Sequence, residues 1–188
     1  QLIMLVRRVN HAAPKLDKYL ILLGELDQPE LWQDNPIIQH FDGIFHLAAE
    51  VNHDPAEKDS VFRSNINGTL GMVRLAQQKK CRLVFVSTSG TVGCFKKSNQ
   101  FADENAPFCA LSIHASPYYQ SKIVAEKEAM ALAQANQVSL VILRPSVMLG
   151  PNDHRFRTTE KILKLLRGDL RYLVKGEIAF TDVRDCAQ

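Results

Sequence analysis

Apolar side chains along this chain fall into short unbroken runs that alternate with stretches of helical rhythm. Leu2-Ile3-Met4-Leu5-Val6 and Tyr19-Leu20-Ile21-Leu22-Leu23, the second stopped by Gly24, are of strand length and predict two buried strands. A third run, Gly43-Ile44-Phe45-His46-Leu47-Ala48-Ala49, follows a stretch at 32–40 in which Pro36 limits any helix to short pieces. Runs without polar alternation predict strands covered on both faces, as in parallel sheets. From 56 to 80 the period changes, and Val61, Phe62, Ile66, Leu70, Val73, Leu75 and Ala76 fall on one face of a long amphipathic helix. Arg82-Leu83-Val84-Phe85-Val86-Ser87 returns to a strand, and 89–115 reads as an irregular loop. Ser116-Pro117 then supplies an N-cap and a first-turn proline for a helix to about Asn136. Ser139-Leu140-Val141-Ile142-Leu143-Arg144 is the next strand, ended by Pro145. Past Gly150-Pro151, Thr158 or Thr159 caps a helix that closes at Gly168, and Ile178-Ala179-Phe180-Thr181 is a last short strand. Strands alternating with helices in this way predict a parallel α/β sheet in one domain over 1–188.

Composition narrows the picture. With 188 residues, 46% hydrophobic and 23% charged, the chain can bury one sizeable core. The net charge of +3 comes from interleaved acids and bases rather than a basic run, so no nucleic-acid partner is expected. Cys81, Cys94, Cys109 and Cys186 form no Cys-x-x-Cys pair and have no histidine at ligand spacing, which predicts free thiols in a cytoplasmic protein, without metal or disulfides. No apolar run approaches the ~20 residues of a membrane span. Gln1 enters an apolar run at once, as expected of a chain joined in mid-domain.

Two features could carry chemistry. Tyr118 and Lys122 lie four apart at the head of a helix and share a face. An ammonium near a phenol is expected to stabilise the phenolate and lower its pKa, giving a tunable proton donor; a solvent-facing tyrosine stacked on a lysine stem fits the same spacing. Ser87-Thr88-Ser89 closes a buried strand at its carboxyl end, where α/β sheets place ligands, although a hydroxyl cluster capping a turn would read alike.

Taken in order, Gly24-Glu25-Leu26, His46-Leu47-Ala48-Ala49, Asn65-Ile66-Asn67-Gly68-Thr69, Ser87-Thr88 with Gly93, Tyr118-x-x-Ser121-Lys122, Arg144-Pro145-Ser146 with Gly150-Pro151, and Val183-Arg184-Asp185 resemble the extended short-chain dehydrogenases/reductases, within the NAD-dependent epimerase/dehydratase superfamily. The Gly90-Thr91-Val92 continuation and the Tyr-Tyr-x-Ser-Lys form are similar to the dihydroflavonol-reductase-like branch. The resemblance implies a Rossmann-like doubly wound sheet, seen from its second strand onward, with a substrate-binding region starting at about 151. It implies that Thr88 holds the substrate oxygen, Tyr118 is the acid/base, and Lys122 binds the nicotinamide ribose. His46, Ala48, Ala49 and Ser87 would line the cofactor, Glu25 and Leu26 would lie near the adenine, and Pro145 and Ser146 beside the carboxamide. Arg7 ends the first visible strand where an acid would hold the ribose hydroxyls of NAD; an arginine suits the 2′-phosphate of NADP. Asn65 is expected to tether the core or to serve catalysis. The resemblance further implies a homodimer formed through the helices at 56–80 and 117–136.

The family's glycine-rich turn, which grips the pyrophosphate at a helix N-terminus, has no counterpart here. Gly68-x-x-Gly71 lies within a helix and Gly90 with Gly93 leads into Cys94-Phe95. The expected function is therefore hydride transfer between NADP or NAD and a carbonyl or secondary alcohol. A nucleotide-sugar epimerase and a non-catalytic sheet that has lost its nucleotide are the alternatives. A dehydratase fits less well, because Ser89-Gly90 rather than an acidic pair follows Thr88. Phe95, Phe101, Phe108 and Leu111 make the loop at 94–115 apolar, which favours an apolar substrate; His53, His114, His154, Arg155 and Arg157 are left without a role.

Overall fold

The runs at 2–6 and 19–23 become β1 (Ile3–Val6) and β2 (Leu20–Leu23), which pair in parallel with Ile3 opposite Leu20. This computed structural model describes residues 1–9, 18–92, 95, 100–109, 116–153, 156, 158–170, 172 and 178–188, which divide into two compact units, Gln1–Arg144 and Pro145–Gln188.

In the first unit, two short 3-10 turns, Pro29–Leu31 and Pro36–Ile38, each open on the proline that stops longer helix. β3 (Gly43–His46) ends three residues sooner than its apolar run suggests. The single helix expected at 56–80 is built in pieces: a 3-10 turn at Pro55–Glu57, α1 (Lys58–Phe62), a π-helical turn at Arg63–Asn67, and α2 (Gly68–Lys79). β4 (Arg82–Val86) leads into a 3-10 turn at Ser89–Thr91; α3 (Pro117–Ala135) and β5 (Leu140–Leu143) follow. β3, β4 and β5 form one parallel sheet with β4 in the centre. Parallel neighbours need long crossovers, and α1–α2 and α3 supply them.

Leu83 of β4 packs with Met72, Val73, Leu75 and Ala76 of α2 and with Ala129 and Ala133 of α3, and Leu22, Trp32 and Ile38 extend the same core. Burial on both faces was the expectation for these strands, and the structure corrects it. Ile44 and Leu140 turn toward the core, whereas their alternate neighbours Phe45 and Val141, with Leu143, are 70, 40 and 37% exposed.

The second unit contains a strand too short to betray its period in sequence, β6 (Val147–Leu149), in parallel register with β7 (Phe180–Asp182). Between them lies α4 (Thr159–Leu166), and α5 (Val183–Cys186) follows β7. Neither threonine caps α4 through its side chain; Asp153 Oδ2 instead accepts the backbone N–H of Thr158 at 3.2 Å and of Thr159 at 3.1 Å. Gly168 closes the helix at φ +74°, in the left-handed region that glycine was expected to supply. Among the described residues no helix is long and apolar enough to cross a membrane.

Candidate functional site

Among the described residues of the first unit, the expected Thr88, Tyr118 and Lys122 lie where β4 ends and α3 begins. Ser116 occupies the N-cap position of α3, but its hydroxyl does not cap the helix as expected; it lies 2.6 Å from His53 Nδ1. Tyr118 follows on the first turn. Its half-buried ring stands edge-on to His53, with centroids 5.7 Å apart and planes at 79°, and 5.2 Å from the ring of Tyr119. Burial, with the neighbouring Tyr119, pushes the Tyr118 phenol up to about 12. The shift is opposite to the expected fall, because burial disfavours the charged phenolate.

Lys122, only 2% exposed, donates from Nζ to Val86 O at 2.9 Å and lies 4.4 Å from the centre of the Phe85 ring. Its ammonium is therefore fixed at the tip of β4, two residues before Thr88. Burial pushes it down to about 8, against the opposing charge of Glu126. Thr88 Oγ1 accepts from Gly90 N at 3.3 Å, and among the described residues its own proton meets no acceptor. At Gly90 a β-carbon would run into the ring of Tyr119, so glycine lets this turn close against α3.

Two buried networks support these groups. The Asn65 amide accepts from Glu50 N at 2.8 Å and donates to Glu50 O at 3.0 Å and to Ser121 Oγ at 2.9 Å, while Ser121 donates to Tyr118 O at 2.7 Å. Asn65 thus ties the chain after β3 to the first turn of α3, and it does so from a π-helical turn, a distortion frequent at functional sites. The second network centres on Glu126, which is fully buried. Its Oε1 accepts from the hydroxyls of Ser87 and Thr91, and its Oε2 from Arg144 Nε at 2.9 Å and Nη2 at 2.7 Å.

Several expected cofactor contacts have other partners. The Ser87 hydroxyl is committed to Glu126. His46 is 3% exposed, stacks on Phe85, and lies 3.0 Å from the Thr69 hydroxyl. Because Thr69 gives its proton to Asn65 O at 2.6 Å, His46 donates from Nε2–H; burial, aided by the Lys122 charge, lowers its pKa to about 3 and keeps it neutral. Leu26 packs on Gly68, where a β-carbon would come within 2.5 Å of it. Glu25, Arg7 and Ala48 are exposed and Ala49 half-buried. Pro145 and Ser146 belong to the second unit, where Ser146 Oγ lies 2.7 Å from Thr181 Oγ1. In the loop meant for substrate, Phe101 is 87% exposed, and Phe108 lies between Lys127 Nζ and the Arg144 guanidinium, at 4.9 and 5.8 Å from its ring centre. Leu111, His114, His154, Arg155 and Arg157 lie outside the described residues.

Sequence reasoning missed Glu126 and gave Arg144 no role. A glutamate on a helix reads as a surface acid; the signal was its place on the stripe Lys122, Glu126, Ala129, Ala133, which is buried throughout.

Comparison with known proteins identifies the family of the chain. The chain is 33% identical over 168 residues to a putative dihydroflavonol 4-reductase of Synechocystis, covering 88% of this chain and 47% of that protein. It is 29% identical over 174 residues to cinnamoyl-CoA reductase 2 of Medicago truncatula, covering 89 and 51%. It spans about half the length of these curated relatives. Its fold matches the crystal structure of gox2253 with a TM-score of 0.83 at 22% identity, over 100% of this chain and 56% of that one. DesIV, a dTDP-glucose 4,6-dehydratase from Streptomyces venezuelae with NAD and TYD bound, matches with a TM-score of 0.74 at 22% identity, over 98 and 59%. The model of the NAD dependent epimerase/dehydratase family matches residues 1–188. The chain therefore belongs to that family, with the Rossmann-like fold of the extended short-chain dehydrogenases/reductases, and is similar to their dihydroflavonol-reductase-like branch.

Proposed function

We propose that this chain is the nicotinamide-binding part of an NADP-preferring reductase, in which an apolar carbonyl compound receives hydride and Tyr118 delivers the proton. The observation that carries the reading is Lys122, buried and held on Val86 O at the tip of β4, with Tyr118 one helical turn before it and the Thr88 hydroxyl two residues beyond that carbonyl.

The donor set at this tip suits the nicotinamide end of the cofactor. Lys122 gives one N–H to Val86 O and keeps two for ribose hydroxyls. Bound nicotinamide supplies the hydride. Thr88 donates its uncommitted proton to the substrate oxygen and orients it. That oxygen gains an alkoxide's basicity as the carbon–hydrogen bond forms, and it takes the Tyr118 proton. A phenol near 12 is protonated at neutral pH and so carries the proton that the reductive direction needs, but burial makes it a weaker acid than a free tyrosine. The phenolate left behind lies one turn from the Lys122 ammonium. Arg7, exposed at the end of β1, supports NADP over NAD. The outer surfaces of α2 and α3, where Met130 is 50% exposed, would form a homodimer interface.

Product analysis of the intact protein with NADPH and an aromatic aldehyde or ketone tests the reading. Net oxidation of NADPH with one alcohol formed per cofactor is expected. Inversion of a sugar nucleotide with no net cofactor consumption would overturn it in favour of an epimerase.

A further inference from the structure

We propose that Glu126 is a positioning residue for this chemistry, its buried carboxylate fastening the turn that carries Thr88 to α3 at the level of Lys122. The inference rests on the reductase reading given above.

Three segments meet on this one side chain: the end of β4 through Ser87, the following 3-10 turn through Thr91, and the end of β5 through Arg144. An ion pair taken out of water recovers its desolvation cost only with good geometry and further hydrogen bonds, and an apolar side chain of equal volume would often fill the space with no loss of stability. What the carboxylate gives that a leucine could not is two acceptor positions for the hydroxyls flanking Thr88. The Thr91 hydroxyl lies 2.8 Å from both Glu126 Oε1 and Thr88 O, and its single proton is shared between these two acceptors, so Thr91 sits between the carboxylate and the Thr88 carbonyl. In the same turn, Gly90 rests on the ring of Tyr119. The turn therefore has two anchors, both on α3: one beside Tyr118, the other one helical turn past Lys122. A shift of either would move Thr88 relative to the proton donor.

The charges around this clamp are few. Glu126 is faced by Arg144 from β5 and by Lys122 on its own helix. Lys122 is faced by Glu126 and by His46 of β3. Arg144 also donates to Glu104 O at 3.4 Å and shares the Phe108 ring with Lys127. Loss of the Glu126 charge removes the anion that, among the described residues, supports the Lys122 ammonium, so the alkaline limb of activity moves to lower pH. A purely structural role would leave that limb in place.

The test uses Glu126→Gln in the intact protein, which keeps the shape and an acceptor but removes the charge, measured beside Tyr118→Phe. For Glu126→Gln the expected results are a kcat lowered by about tenfold or more, an alkaline limb at lower pH, and faster amide hydrogen exchange at 89–92. Arg144→Gln, which leaves the carboxylate on its two hydroxyls, should retain the protection at 89–92. If Glu126→Gln does not fold, Thr91→Val replaces it: faster exchange at 89–92 with lowered kcat supports the clamp, and unchanged exchange with unchanged kcat overturns it. Wild-type kcat, pH profile and exchange in Glu126→Gln, in a background where Tyr118→Phe is inactive, would also overturn it. Full turnover by Tyr118→Phe would remove the reductase reading itself.

Discussion

Around the first half of α3 the buried polar groups are partnered, whereas the far face of the β3–β4–β5 sheet leaves apolar side chains in the open. No buried side-chain nitrogen or oxygen among the described residues is without a hydrogen bond, and Asn65, Glu126 and Lys122 each hold chain segments distant in sequence. On the other face Phe45 is 70% exposed, and Leu47 just beyond β3 is 67% exposed. The end that would handle hydride and proton is thus self-consistent within residues 1–188, while the phosphate end contributes no glycine-rich turn from the same residues. Chemistry and cofactor affinity are separable here, and can be attacked one at a time.

The largest effect concerns affinity. Residues 1–188 alone are expected to bind NADPH no more tightly than about 1 mM, since the amides that would grip the pyrophosphate are not among them. Fluorescence titration checks this, and micromolar binding would erase the distinction between the two ends. Next is Asn65→Ala, which removes three hydrogen bonds at a buried site and should cost about 3 kcal/mol, read from urea denaturation.

A slightly smaller effect is set by pH. His46 has its pKa near 3 in the folded chain and near 6.5 when unfolded, so between those values only the unfolded form takes up the proton. Stability therefore falls as pH drops through this window, by about 2 kcal/mol between pH 7 and pH 5. His46→Gln should flatten that dependence. The smallest effect belongs to the open face: Phe45→Thr should change stability by no more than about 0.5 kcal/mol, and a larger loss would mean that this face is covered after all.

What could be read from sequence followed physical range. Strands and crossover helices depend on local apolar period, so β1, β2, β4, β5 and α3 emerge near their expected bounds, while β3 is shorter and the helix expected at 56–80 is divided. The family was legible because the order of its motifs along the chain, those holding Thr88, Tyr118 and Lys122 among them, is distinctive. The environment of those groups was not. The spacing of Tyr118 and Lys122 suggested a lowered phenol pKa, but burial is a tertiary property and reverses the sign. Ser87 and His46 looked free to meet a cofactor until their partners Glu126 and Thr69, 39 and 23 residues away, were seen. β6 and the π-helical turn were hidden for the opposite reason, each being too short to leave a period.

The most direct test is the kcat for NADPH oxidation of Tyr118→Phe in the intact protein, measured together with NADPH affinity. A loss of about a thousandfold in kcat with unchanged affinity is expected if the phenol delivers the proton. Turnover within about twofold of the unaltered protein would contradict that role.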